Sequence, residues 1–199
     1  MAVRSLKNST IENFANYSSS MNAGYDFNDF ELIESVFVAS NTASVTFNNL
    51  NQYATEYKHL QIRTVGRVSA NTAGAGDAFR VRFNGDSGSN YALHQLFGNG
   101  STVISNNVAP ATGFFGQRFT DSGSTSSAFG AAVIDVLDSY STSKNKTARI
   151  LGGNANNSSY IFLNSGLWMS TASITSITLL PDVGGNFVAG SRFSLYGIR

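Results

Sequence analysis

The chain has 199 residues, with 42% hydrophobic residues, 13% charged residues, a net charge of +1 and no cysteine. That length fits one domain, or one domain plus an arm, and can bury about 70% of its unfolded surface without disulfide or metal support. The lack of cysteine excludes disulfide frameworks, thiolate zinc sites and thiol nucleophiles, while the near-zero net charge excludes a bulk electrostatic drive toward nucleic acid or a membrane surface.

Residues 1–28 read differently from the rest. Met1–Thr10 is basic with no apolar run behind it, so it does not have the form of a secretory signal, and a chain made and assembled in the cytoplasm is expected. Ile11 to Asn28 is polar and dotted with Phe14, Tyr17, Tyr25 and Phe27. Ser9 and Glu12 have capping-box spacing, but no helical period follows. A disordered tail is the competing reading, and the aromatic content argues against it. We read 1–28 as an extended N-terminal arm and 29–199 as the folded domain.

From Phe30 the pattern is strand after strand. Glu31 to Val38 alternates, and Val45 and Phe47 mark a second strand. Lys58 to Val68, Ala78 to Phe83 and the row Tyr91, Leu93, Gln95, Phe97 follow with period two. Thr112 to Phe119 is aromatic and interrupted by Gly. Ala128 to Leu137 is apolar on both faces, which predicts a central strand. Thr147, Arg149 and Leu151 lie on the next strand, and Tyr160–Leu163, Ser173–Leu180 and Arg192–Ile198 complete the set. Turn clusters separate them, among them Asn84-Gly85-Asp86, Gly98-Asn99-Gly100, Asp121-Ser122-Gly123 and Gly184-Gly185-Asn186. No amphipathic helix stands out and no apolar run reaches the roughly 18 residues of a membrane span. The expected fold is all-β, an antiparallel jelly-roll-like β-sandwich of eight to ten strands.

Catalytic patterns are sparse. His59 and His94 have no ligand at metal-binding spacing, so both read as polar strand residues. The segment Gly85-Asp86-Ser87-Gly88-Ser89 misses the nucleophile-elbow spacing by one residue. Asn84 to Gly88 could offer oxygens to Ca²⁺ but lacks the usual run of acids, and a hairpin turn is the simpler reading. Glu31, Glu34, Asp135 and Asp138 are the carboxylates a glycosidase would draw on. Asp135 shares a row with Phe129, Ala131, Val133 and Leu137, so it is either an acid in a cleft or a structural partner of an Arg such as Arg149. The expectation is no enzyme, no cofactor and no metal.

Partner surfaces are better marked. Arg80 and Arg82 share one row, with Arg63 and Arg67 on another strand, where they could meet acids of a neighbouring subunit. Trp168, the single tryptophan, is either an interface anchor or a core residue. Arg63, Arg80, Arg82 and Trp168 are therefore the candidate subunit contacts.

Five segments carry a family likeness: His59–Arg63, Arg82–Tyr91, Gly166–Trp168, Ile174–Leu179 and Gly190–Ile198, with Arg4-Ser5-Leu6-Lys7-Asn8 at the start. Over most of residues 30–199 the chain resembles small virion structural proteins of tailed bacteriophages, common in marine and cyanobacterial phages. The resemblance implies a capsid decoration (cement) protein of the virion, bound to the major capsid protein or another virion protein and assembled as a homo-oligomer, by analogy a trimer. The arm would anchor it, with Arg4 and Lys7 as charge contacts and Leu6, Phe14 and Tyr17 as apolar pegs. The alternative is a tail-fibre component binding a host-surface glycan through aromatics such as Tyr91, Phe97, Phe114, Phe115 or Trp168. A polysaccharide-degrading enzyme using Asp135 is a third reading.

Overall fold

Period-two burial builds the molecule. In the strand Asp77–Phe83, residues Asp77, Phe79, Val81 and Phe83 are buried while Ala78, Arg80 and Arg82 are half-buried on the other side. The computed structural model describes residues 29–73, 76–155 and 159–199, and the segment 1–28 lies outside them. Twelve strands are present among the described residues: β1 (Phe30–Phe37), β2 (Val45–Phe47), β3 (His59–Gly66), β4 (Asp77–Phe83), β5 (Tyr91–Gly98), β6 (Val103–Ala111), β7 (Phe114–Phe119), β8 (Gly130–Leu137), β9 (Lys146–Asn154), β10 (Tyr160–Trp168), β11 (Ile177–Pro181) and β12 (Arg192–Ile198).

The strands form an eight-stranded sheet in the order β1-β12-β3-β8-β9-β10-β5-β6 and a four-stranded sheet in the order β2-β11-β4-β7. Each ladder between them is antiparallel. The inner faces pack as a jelly-roll-like sandwich, as the alternation predicts, with β8 fourth of eight in its sheet. The core is aromatic. Phe79 stacks on Phe119 at 4.6 Å, Tyr91 meets Phe114 edge-on at 5.1 Å, and Phe83 meets Trp168 edge-on at 5.6 Å. Two glycines of the large sheet make room for rings of the small one. A Cβ at Gly66 would overlap the Phe119 ring, and a Cβ at Gly166 would overlap the Phe114 ring.

Two differences from the sequence reading have physical causes. β6 has no counterpart in that reading, because neither face of this edge strand is buried along most of its length, so nothing imposes alternation. β11 starts at Ile177 rather than Ser173 because the Asn84 side chain replaces a neighbouring strand there. Its Nδ2 donates to the Ser173 carbonyl, and its Oδ1 accepts from the Thr175 and Ser176 amides.

Candidate functional site

The outer face of the eight-stranded sheet carries both polar and exposed apolar side chains. Strand register sorts that face into transverse rows, since directly paired residues point to the same side. One row is polar: Gln61, Asp135, Arg149, Ser165, His94 and Asn107 follow one another across six strands. The adjacent row runs Val133, Leu151, Leu163, Leu96. The row beyond it brings Ile161 beside Gly98 and Val103. These apolar side chains are open to solvent: Leu96 is 48% exposed, Val103 76%, Leu151 53%, Ile161 66% and Leu163 45%. A depression of about 270 Å³ is lined by Leu96, Val103, Leu151, Ile161 and Leu163. A larger one, about 450 Å³, lies over the polar row between His94, Ser105, Arg149 and Ser165.

The polar row is internally bonded. Gln61 Nε2 donates to Asp135 Oδ1 at 2.7 Å, and Arg149 donates to Asp135 Oδ2 at 2.9 Å. Arg63 Nε donates to Gln61 Oε1 at 3.0 Å, and its guanidinium lies 4.8 Å from the Phe30 ring and 5.2 Å from the Tyr196 ring. Asp135 thus has the structural role of an Arg149 partner, and both of its oxygens are engaged. His94 Nε2 lies 2.9 Å from Ser105 Oγ. A hydrolytic triad would need a carboxylate on the other ring nitrogen, and among the described residues none is bonded there. Of the remaining carboxylates, Glu31 accepts from Tyr57 Oη at 2.8 Å, and Asp138 accepts from Lys144 Nζ at 2.7 Å. Lys144 holds the Asp138 carboxyl below the usual range, the wrong direction for a general acid. His59 Nδ1 accepts from the Asp138 amide at 2.9 Å.

Trp168 is corrected from subunit contact to core residue. It is 3% exposed, and its Nε1 donates to Asp86 Oδ2 at 2.7 Å. Asp86 also accepts from the Gly88 amide and from Asn90 Nδ2. The Asn84–Gly88 turn is therefore a hub that fixes two distant segments, and its carboxylate faces N–H donors. The Trp168 bond, then the Asn90 and Gly88 donors, hold the Asp86 carboxyl below its ordinary value. Trp168→Phe keeps the ring and removes the donor. It is expected to cost about 1.5 kcal/mol in a urea melt at pH 7, the low end for a bond to a charged group because Asp86 is half-exposed. A depressed carboxyl adds stability above its unfolded pKa of about 3.9, and that stability is lost as pH falls through the folded value. The gap between variant and parent should therefore be full at neutral pH and shrink below about pH 4.

The arginines divide. Arg80 donates to Asp182 and to Thr112 Oγ1 and lies 4.9 Å from the Phe115 ring, while Arg82 Nε donates to the Thr112 carbonyl at 2.9 Å. Arg67 donates to the carbonyls of Ser124, Thr125 and Ala128. Arg63 is the exposed one of the four. Tyr91 and Phe114 are buried with Trp168, so three of the five aromatics considered for glycan stacking are in the core, and Phe97 and Phe115 are half-buried. Arg4, Leu6, Lys7, Phe14 and Tyr17 lie outside the described residues.

Neither a protein-family model nor a curated protein matches the chain.

The sequence reading passed over the exposed apolar face and Asp77. Both were signalled by parity. Ala128–Leu137 is apolar on both faces, although only one face meets the core. Asp77 has the same parity as Phe79, Val81 and Phe83, and it is 1% exposed.

Proposed function

We propose that the chain is a non-enzymatic structural protein of a tailed-phage virion, a capsid decoration protein that adheres to the shell as a homo-oligomer. The observation that carries this reading is the uncovered apolar face of the large sheet. Soluble monomers seldom leave five neighbouring aliphatic side chains open, and such patches mark interaction sites. Burying what remains exposed of each would contribute about 1 kcal/mol per side chain before the cost of ordering. The low charge of the chain fits a surface that spends its working life covered.

In this reading residues 1–28 are the anchoring arm, with Arg4, Leu6, Lys7, Phe14 and Tyr17 as its contacts, and the outer face is the broad seat. Deleting 1–28 is expected to leave a sandwich with unchanged β-type circular dichroism that no longer co-sediments with phage particles. Particle binding that survives the deletion removes the arm from the account.

A further inference from the structure

The sandwich has four sheet edges, and they are unequally protected. Sheet edges in soluble proteins are blunted by charge, bulges or shortness, because unpaired backbone groups otherwise recruit another strand. β1 carries Glu31 and Glu34 and has a bulge between Leu32 and Glu34. β2 is three residues long, and β7 carries Arg118. β6 is nine residues long and has no charged side chain. Its guards sit together at one end, where Pro110 removes a backbone donor and a bulge lies between Val108 and Ala111, and they leave 103–108 able to pair. The apolar face runs up to this edge, because Val103 lies beside Gly98 and Ile161.

We infer that β6 is where a second copy of this chain adds its own β6, antiparallel, about a two-fold axis at Asn106. The register follows from side-chain direction. Val103, Ser105 and Asn107 are on the outer face, while Ile104, Asn106 and Val108 point inward. A two-fold axis normal to the sheet keeps each face on its own side, so only residues of like parity can pair. Centring on Asn106 sets Ile104 against Val108 of the second copy and Ser105 against Asn107, short of the bulge. Apolar then meets apolar and polar meets polar, and Pro110 falls outside the pairing. Centring on Ser105 would set Ile104 against Asn106 and Val103 against Asn107. Centring on Asn107 would need Pro110 in the ladder. With no charge on β6, no like-charge repulsion opposes the approach of two copies. The contact is isologous, so its unit is a dimer rather than the trimer that the resemblance implies. It joins two eight-stranded sheets, and the apolar faces of both copies become one floor, twice as wide, on the same side. This inference rests on the self-association in the proposed function and not on the particle to which the chain binds.

The absence of cysteine gives a direct test in the full-length chain. Across the axis the two 106 positions would lie about 4.5–5.5 Å apart between Cα atoms, within disulfide reach. Asn106→Cys is expected to convert to a disulfide-linked dimer on mild oxidation, while Ser143→Cys, an exposed turn residue, stays uncross-linked at equal concentration. Ile104→Lys should halve the mass measured by sedimentation without changing the circular dichroism. An oligomer that does not cross-link through position 106 overturns the β6 contact and leaves self-association standing. A folded monomer with no cross-link overturns both.

Discussion

Leu151→Lys combined with Leu163→Lys is expected to weaken binding to phage particles at least a hundredfold while leaving the domain folded. Both leucines are about half exposed, on neighbouring strands of the outer face, so the core does not depend on them. Surface changes of this kind usually alter stability by about 0.5 kcal/mol or less. At a covered interface the same changes remove two apolar contacts worth about 1 kcal/mol each and strand two ammonium groups away from water. A loss of about 3 kcal/mol corresponds to more than a hundredfold in affinity. Co-sedimentation with particles reads the affinity, and a thermal melt shows that the fold persists. Binding unchanged by the pair of lysines would mean that the apolar face is not the seat.

The second large effect concerns Asp77, which is 1% exposed on the inner row of β4. Burial, opposed by the Val183 amide and reinforced by the nearby Asp182 charge, raises its carboxyl from 3.8 to about 6. An acid raised in the folded state binds its proton more tightly there than in the unfolded chain. Its contribution to stability is therefore complete below about pH 4 and is lost as pH rises through about 6. Above that pH the native state carries a buried carboxylate that accepts from the Val183 amide only at 3.3 Å. Asp77→Asn keeps the shape and an acceptor for that amide without the charge. It is expected to stabilise the protein by about 2 kcal/mol at pH 8 and to have little effect at pH 4. Urea melts at the two pH values measure the difference. An equal effect at both would show that Asp77 does not titrate between them.

Much of the fold was legible because one face of each strand must meet the core. β4 and β12 are found where their alternation places them, and Asp135, open in the sequence between a cleft acid and an Arg partner, is bonded to Arg149. The illegible parts are those in which one side chain does the work of a strand or no core imposes a period. Asn84 satisfies residues 173–176 from a turn some ninety positions earlier, and nothing local announces it. β6 has no buried face to set a rhythm. Trp168 left core and interface open in the sequence because a lone aromatic on a strand suits both, and its bond to Asp86 joins segments 82 positions apart. The outer face was the most informative pattern to misjudge. Ala131, Val133 and Leu137 make β8 look buried on both sides, yet among the described residues nothing covers their side. A strand composed for two dry faces and given only one is the physical basis for expecting a partner.

The most direct measurement is the copy number of the chain in washed, purified particles, obtained by quantitative mass spectrometry against the major capsid protein. The account predicts a fixed ratio set by the repeating sites of the shell. Absence of the chain from such particles, or a handful of copies confined to the tail, would contradict it.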